Sequence, residues 1–203
     1  MISPTTRRTL RAFLGVFATS SALALPAALL PLAAAAADVE VSATYTDEMA
    51  TLMNNARVRA ALDYMLTLEE QSLAELIELT EIPAPPFKEE ARAVRFAEML
   101  RVAGLTDVRM DEVGNVIGRR PGTKGDKRVA YAAHLDTVFP AETDVTVEQD
   151  GNRFAAPGIG DNTRGLITVL EVLRALEHEG IETEADLLFI GNGGEEGLGD
   201  LPG

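Results

Sequence analysis

The sequence has no cysteine among its 203 residues. Disulfides and thiolate metal ligands are therefore excluded, and any bound metal would fall to His, Asp and Glu. Histidine is nearly absent too, with only 2 residues, so each needs an account. Basic residues are scarce: 18 Lys and Arg stand against 32 Asp and Glu, a formal net charge of -14. Such a chain is repelled at long range by phosphate backbones and anionic lipid surfaces, which argues against a nucleic-acid partner. Apolar residues are plentiful at 46%, enough for a real core over one ordinary domain.

The basic residues at the start are not scattered. Arg7, Arg8 and Arg11 precede an apolar, Ala- and Leu-rich run from Ala12 to Leu32, and Ala35-Ala36-Ala37 then offers the small residues that a signal peptidase reads. The run is long enough to span a bilayer, but Pro26, Pro31 and its Ala-rich end weigh against an uncleaved anchor. Residues 1–37 are expected to be a signal peptide cleaved near Ala37. The protein would then be exported, periplasmic or secreted, with no stable membrane association afterwards. Thr6-Arg7-Arg8-Thr9-Leu10 also resembles a twin-arginine signal, so the export route stays open. Cleavage removes 3 of the 18 basic residues and no acids, which leaves 15 bases against 32 acids, a charge of -17.

From Asp47 to Leu79 apolar residues recur at steps of three and four, which predicts one or two helices. Ile82-Pro83-Ala84-Pro85-Pro86 interrupts that period, and a new amphipathic helix is expected over 88–103, closed by Gly104. Val108 to Met110, Asn115 to Arg119 and Arg128 to Ala133 read as strands, with a weaker one over Val145 to Val147. Asn162 to Glu179 reads as a helix ending at Gly180, and Ala185 to Ile190 as a buried strand. Strands alternating with helices of crossover length predict an α/β fold, a mainly parallel sheet with helices on both faces. In such folds ligands sit at the carboxyl ends of strands.

Three segments fall at those ends. The first is His134-Leu135-Asp136: residues two apart in a strand face the same way, so Asp136 could accept a hydrogen bond from one imidazole nitrogen while the other binds a metal. Alone the triplet is an ordinary strand end, and it gains weight from the rarity of histidine. His178, between Glu177 and Glu179 on the polar side of a helix, is expected to have no role. The second is Gly158-Ile159-Gly160-Asp161-Asn162-Thr163-Arg164-Gly165, where Asp161 sits at a helix start and taken alone reads as an N-cap. A phosphate loop is excluded by the missing Gly-Lys-Ser/Thr ending. The third is Gly193-Gly194-Glu195-Glu196-Gly197. Its adjacent carboxylates repel each other unless a cation or proton offsets them, although an exposed turn also tolerates two acids.

Together these segments are more specific than any one of them. With Glu81-Ile82-Pro83-Ala84 and Gly114-Asn115-Val116 upstream, they resemble the di-zinc metallopeptidase family that includes carboxypeptidase G, acetylornithine deacetylase, aminoacylase and peptidase T. The resemblance runs from Leu73 to the end. It implies a zinc-exopeptidase-like catalytic domain with two zinc ions, whose donors cobalt and manganese also accept. His134 would bind one zinc, Asp161 would bridge both, and Glu196 would bind the other. Asp136 would orient His134, and Glu195 would act as general base on water. The resemblance also implies a cis peptide between Asp161 and Asn162.

The same family takes one further ligand for each zinc, together with an inserted dimerisation or lid domain; both are expected beyond Gly203. Residues 38–203 then correspond to the N-terminal part of the catalytic domain, and little turnover is expected of these residues alone. The implied substrate is a small peptide or an N-acyl amino acid, and the implied assembly of the complete protein is a homodimer. A rival reading is a non-catalytic acidic binding protein that retains the fold.

Overall fold

The computed structural model describes residues 41–197. The expected signal peptide lies outside them. Three helices rather than one or two occupy the first periodic stretch: α1 (Ala43–Asn54), α2 (Ala56–Leu66) and α3 (Glu69–Thr80). Asn55 makes the first break, with an extended backbone and a side chain that accepts the N–H groups of Arg57 and Val58 to cap α2. No helix among the described residues is long and apolar enough to cross a membrane.

After the proline-rich segment comes α4 (Glu90–Val102), closed by Gly104, whose φ of 116° suits only glycine. Strands β1 (Asp107–Met110), β2 (Val116–Arg120) and β3 (Arg128–His134) follow, then the short pair β4 (Glu148–Asp150) and β5 (Arg153–Ala155). A π-turn over Ile159–Thr163 leads into α5 (Arg164–His178), and β6 (Asp186–Asn192) follows. The strand expected over Val145 to Val147 forms instead three residues later, with an unforeseen partner in β5. The amides of Thr146 and Val147 are taken by side chains, Asp144 Oδ1 and Glu81 Oε1, and so are withdrawn from a ladder.

The α/β class holds, but the sheet is mixed rather than mainly parallel. Its order is β1-β2-β6-β3. Only β3 and β6 run parallel, while β1 with β2 and β2 with β6 are antiparallel. Nor do the helices of the described residues cover both faces. A Cβ on Gly191 would meet the Phe96 ring of α4, and one on Gly165 of α5 would meet Ala133, the register partner of Gly191. Both helices therefore lie on the face formed by Val116, Gly118, Ala133, Leu187, Phe189 and Gly191. The opposite face shows half-buried Ile117, Leu188 and Ile190 beside exposed Ala130 and Ala132.

Between sheet and helices lies the core: Phe96 and Leu100 of α4, Leu166, Ile167, Leu170 and Leu173 of α5, and Phe189 of β6 are all fully buried. Burying each such side chain contributes about 1.5–3 kcal/mol. His178 has a packing role, its ring stacked on Tyr64 at 3.7 Å between α5 and α2.

Candidate metal centre

Because β3 and β6 are parallel, their carboxyl ends emerge together. His134 is the register partner of Asn192, and Leu135 N–H still donates to Asn192 O at 2.7 Å. The chain after β3 and the chain after β6 thus leave the sheet side by side, which sets His134 beside Glu195 and Glu196. The third segment arrives from α5. Gly158, at φ 80°, turns against Thr137, where a Cβ would overlap the threonine methyl. That close approach carries Asp161 over to His134.

At the centre is the His134 imidazole, 7% exposed. Its Nε2 lies 2.9 Å from Asp161 Oδ1 and 3.8 Å from Glu195 Oε2. Ligand atoms of His134, Glu195 and Glu196 all lie within 4.8 Å of one another. Asp161 is exposed and does not cap α5, which starts behind Thr163 without a side-chain cap. The peptide between Asp161 and Asn162 is cis. All five residues singled out in the sequence, His134, Asp136, Asp161, Glu195 and Glu196, therefore stand in one place.

Asp136 behaves differently from the expectation. His134 Nδ1 makes its short contact, 3.0 Å, with the main-chain oxygen of Asp136, whereas the Asp136 carboxylate is 3.6 Å away. That carboxylate, fully buried, instead accepts the N–H groups of Glu195 (3.1 Å) and Glu196 (2.7 Å). The chain leaves the sheet at Leu135, so the strand alternation that would have aimed it at the ring no longer applies.

Three further residues hold the centre together. Asn115 Oδ1 accepts Gly193 N–H and Glu89 Oε1 accepts Gly194 N–H, both at 3.0 Å. With Asp136, they hold four consecutive amides of a glycine-rich loop by side chains from three other segments. Arg92 is fully buried and donates to Leu135 O, Thr80 O and Ile82 O. Burial pushes its guanidinium down to about 10 and the nearby Asp136 carboxylate works against that, so Arg92 stays charged at neutral pH. Only Asn115 gave a sequence signal, through Gly114-Asn115-Val116. Glu89 reads as an acid at a helix start and Arg92 as one of several surface arginines.

The donor set fits a metal. A main-chain carbonyl can only accept, so Asp136 O requires the His134 proton on Nδ1; in the neutral ring, the form that ligates a metal, Nε2 then presents its lone pair to the carboxylates. Acceptors turned on one another at these distances are offset by a proton or by a cation between them, and this set suits a cation. Ligand atoms around a tetrahedral zinc at about 2.0–2.1 Å lie roughly 3.3 Å apart. The His134 Nε2–Asp161 Oδ1 separation of 2.9 Å is a little under that spacing.

Residues 115–199 match Peptidase family M28. Among solved structures, a dipeptidase from Saccharomyces cerevisiae superposes with a TM-score of 0.56 at 20% identity, over 66% of this chain and 34% of that one. Aminopeptidase PepT from Bacillus cereus gives 0.53 at 22%, over 62% and 36%. A tripeptidase from Staphylococcus aureus gives 0.51 at 25%, over 63% and 37%. This is the zinc-exopeptidase fold. The chain spans about a third of the length of these zinc-exopeptidase-like structures. No curated protein matches it.

Proposed function

We propose that the protein is a metal-dependent peptidase, exported from the cytoplasm, that cleaves an amide bond in a small peptide with the help of two zinc ions. The observation that carries this reading is the convergence of His134 Nε2 with the carboxylates of Asp161, Glu195 and Glu196 at the shared end of β3 and β6. The match to Peptidase family M28 supports a peptide over an N-acyl amino acid.

The residues that would hold the metal are His134 through Nε2, Asp161 and Glu196. When bound, the ions supply Lewis acidity, which brings the pKa of water toward neutral and polarises the scissile carbonyl. Glu195 is half-exposed and its carboxylate lies at the open side of His134. From there it takes a proton from water and delivers it to the departing amine. Asp136 keeps both glutamates on station through their amides, and its carbonyl keeps the His134 ring in the tautomer that binds.

The test is turnover of di- and tripeptides, against N-acetyl amino acids, by the zinc-loaded full-length protein and its Glu195→Gln variant. Peptide turnover that falls by about 10²- to 10⁴-fold in the variant, with metal content retained, is expected. Activity confined to N-acetyl amino acids would make the enzyme a deacylase. No turnover of either class by the loaded protein would favour an acidic binding protein.

A further inference from the structure

The loop that carries Glu195 and Glu196 has glycine at 193 and 194, so no side chain restrains its backbone there. Restraint comes from outside. Asn115 holds Gly193, Glu89 holds Gly194, and Asp136 holds Glu195 and Glu196. Of these acceptors Glu89 is the least expected. Its side chain comes from the residue before α4, 105 positions earlier in the chain than the amide it binds.

The Glu89 carboxylate is buried, 8% exposed, and no basic group of the described residues lies within ion-pair distance of it. Burying an unpaired carboxylate is unfavourable unless N–H groups compensate it. Here one oxygen, Oε1, accepts two of them: Phe87 N–H at 2.8 Å and Gly194 N–H at 3.0 Å. The N-terminus of α4 adds its favourable dipole. Both bonded amides belong to left-handed residues, Phe87 at φ 63° and Gly194 at φ 67°. Phe87 is the one non-glycine residue at positive φ among the described residues.

From this geometry we infer that Glu89 is a positioning residue for the Glu195–Glu196 pair. Fixing the amide of Gly194 fixes the peptide plane between Gly193 and Gly194, and Asp136 fixes the next two, on either side of Glu195. The direction in which each glutamate leaves the loop is set by that row of planes. Unlike Asp136, Glu89 has no contact with His134, so its contribution can be measured separately from the imidazole. The inference rests on the metal reading above.

The experiment is titration of the metal-free full-length protein with Co(II) alone, read by its visible absorption and by calorimetry, for wild type and for Glu89→Gln, Glu89→Asp and Glu89→Ala. Gln keeps the length and an oxygen that accepts both amides, whereas Asp keeps the charge but falls short of Gly194. Gln is expected to bind within about threefold of wild type, and Asp and Ala to lose about 10- to 100-fold, the scale seen when outer partners of metal ligands are removed. With peptide substrate, kcat is expected to fall in Asp and Ala while KM stays near wild type. Should Ala fail to fold, the Gln and Asp pair still decides. Asp binding like wild type while Gln does not would show that charge matters and reach does not, and would overturn the inference. Equal binding by all four proteins would also overturn it. A wild-type protein that binds no Co(II) would sink the metal reading itself, and the inference with it.

Discussion

Asp136 sits two residues from His134 and turns its back on the ring. Its carboxylate is committed to Glu195 and Glu196 N–H, and hydrogen bonds to a charged acceptor contribute about 1.5–3 kcal/mol each. Asp136→Ala is therefore expected to lower stability by about 3 kcal/mol or more in urea denaturation. Asp136→Asn, which keeps one acceptor oxygen, is expected to lose less. A smaller loss for Ala than for Asn would contradict the assignment. The identity of this residue was legible in the sequence and its partner was not. Alternation along a strand aims residues 134 and 136 the same way, but β3 ends at His134, and beyond it the carboxylate follows the loop from β6. His134 could be read because histidine is rare and this one closes a strand, and Asp161, Glu195 and Glu196 because each is an acid beside glycines at an element's end. Glu89 and Arg92 could not, because an acid at a helix start and an arginine on an amphipathic helix are what any solvated helix carries.

Among the elements, α4, α5 and β6 were plain in the sequence because their apolar period is strong and their ends are marked by glycine or proline. Strand direction was not, since a period of two does not reveal a partner: β2 pairs antiparallel with a strand 66 or more residues later. Asp186 at the start of β6 holds that pairing. It accepts Arg119 Nε at 2.9 Å and Gly122 N–H at 2.9 Å, and the Gly122 amide, followed by Arg119, holds its carboxyl below the usual carboxylate range. The unfolded chain then binds more protons than the folded one between the folded pKa and about 3.9. The stabilisation is fully present above that window and is lost as pH falls through it. Thermal melts of wild type and Asp186→Asn should accordingly differ at pH 7 and converge toward pH 2; a constant gap would contradict this. Gly191 gives a second check. A methyl there meets the Phe96 ring at 2.9 Å and Leu135 at 3.1 Å, so Gly191→Ala is expected to cost about 1–3 kcal/mol in the same melts.

Over the whole molecule, three carboxylates gathered around one imidazole in a chain of charge -14 represent repulsion that a divalent cation relieves. Zinc at 100 times its dissociation constant is expected to stabilise the fold by about 2.7 kcal/mol. Thermal melts with and without a chelator measure this, and His134→Ala should abolish the difference. An undiminished zinc shift in that variant would place the metal elsewhere. One feature of the sheet also bears on how the chain comes to exist at all. β6 follows β2 and β3 in the chain, yet in space it lies between them. While the ribosome is still adding residues before Asp186, the β1–β2 hairpin and β3 have no strand between them. The central sheet closes only when β6 slides into that gap, and the two glutamates of the centre are delivered by the same insertion. A nascent chain stalled short of Asn192 should thus be readily cleaved by protease, and one extended past Glu196 should resist.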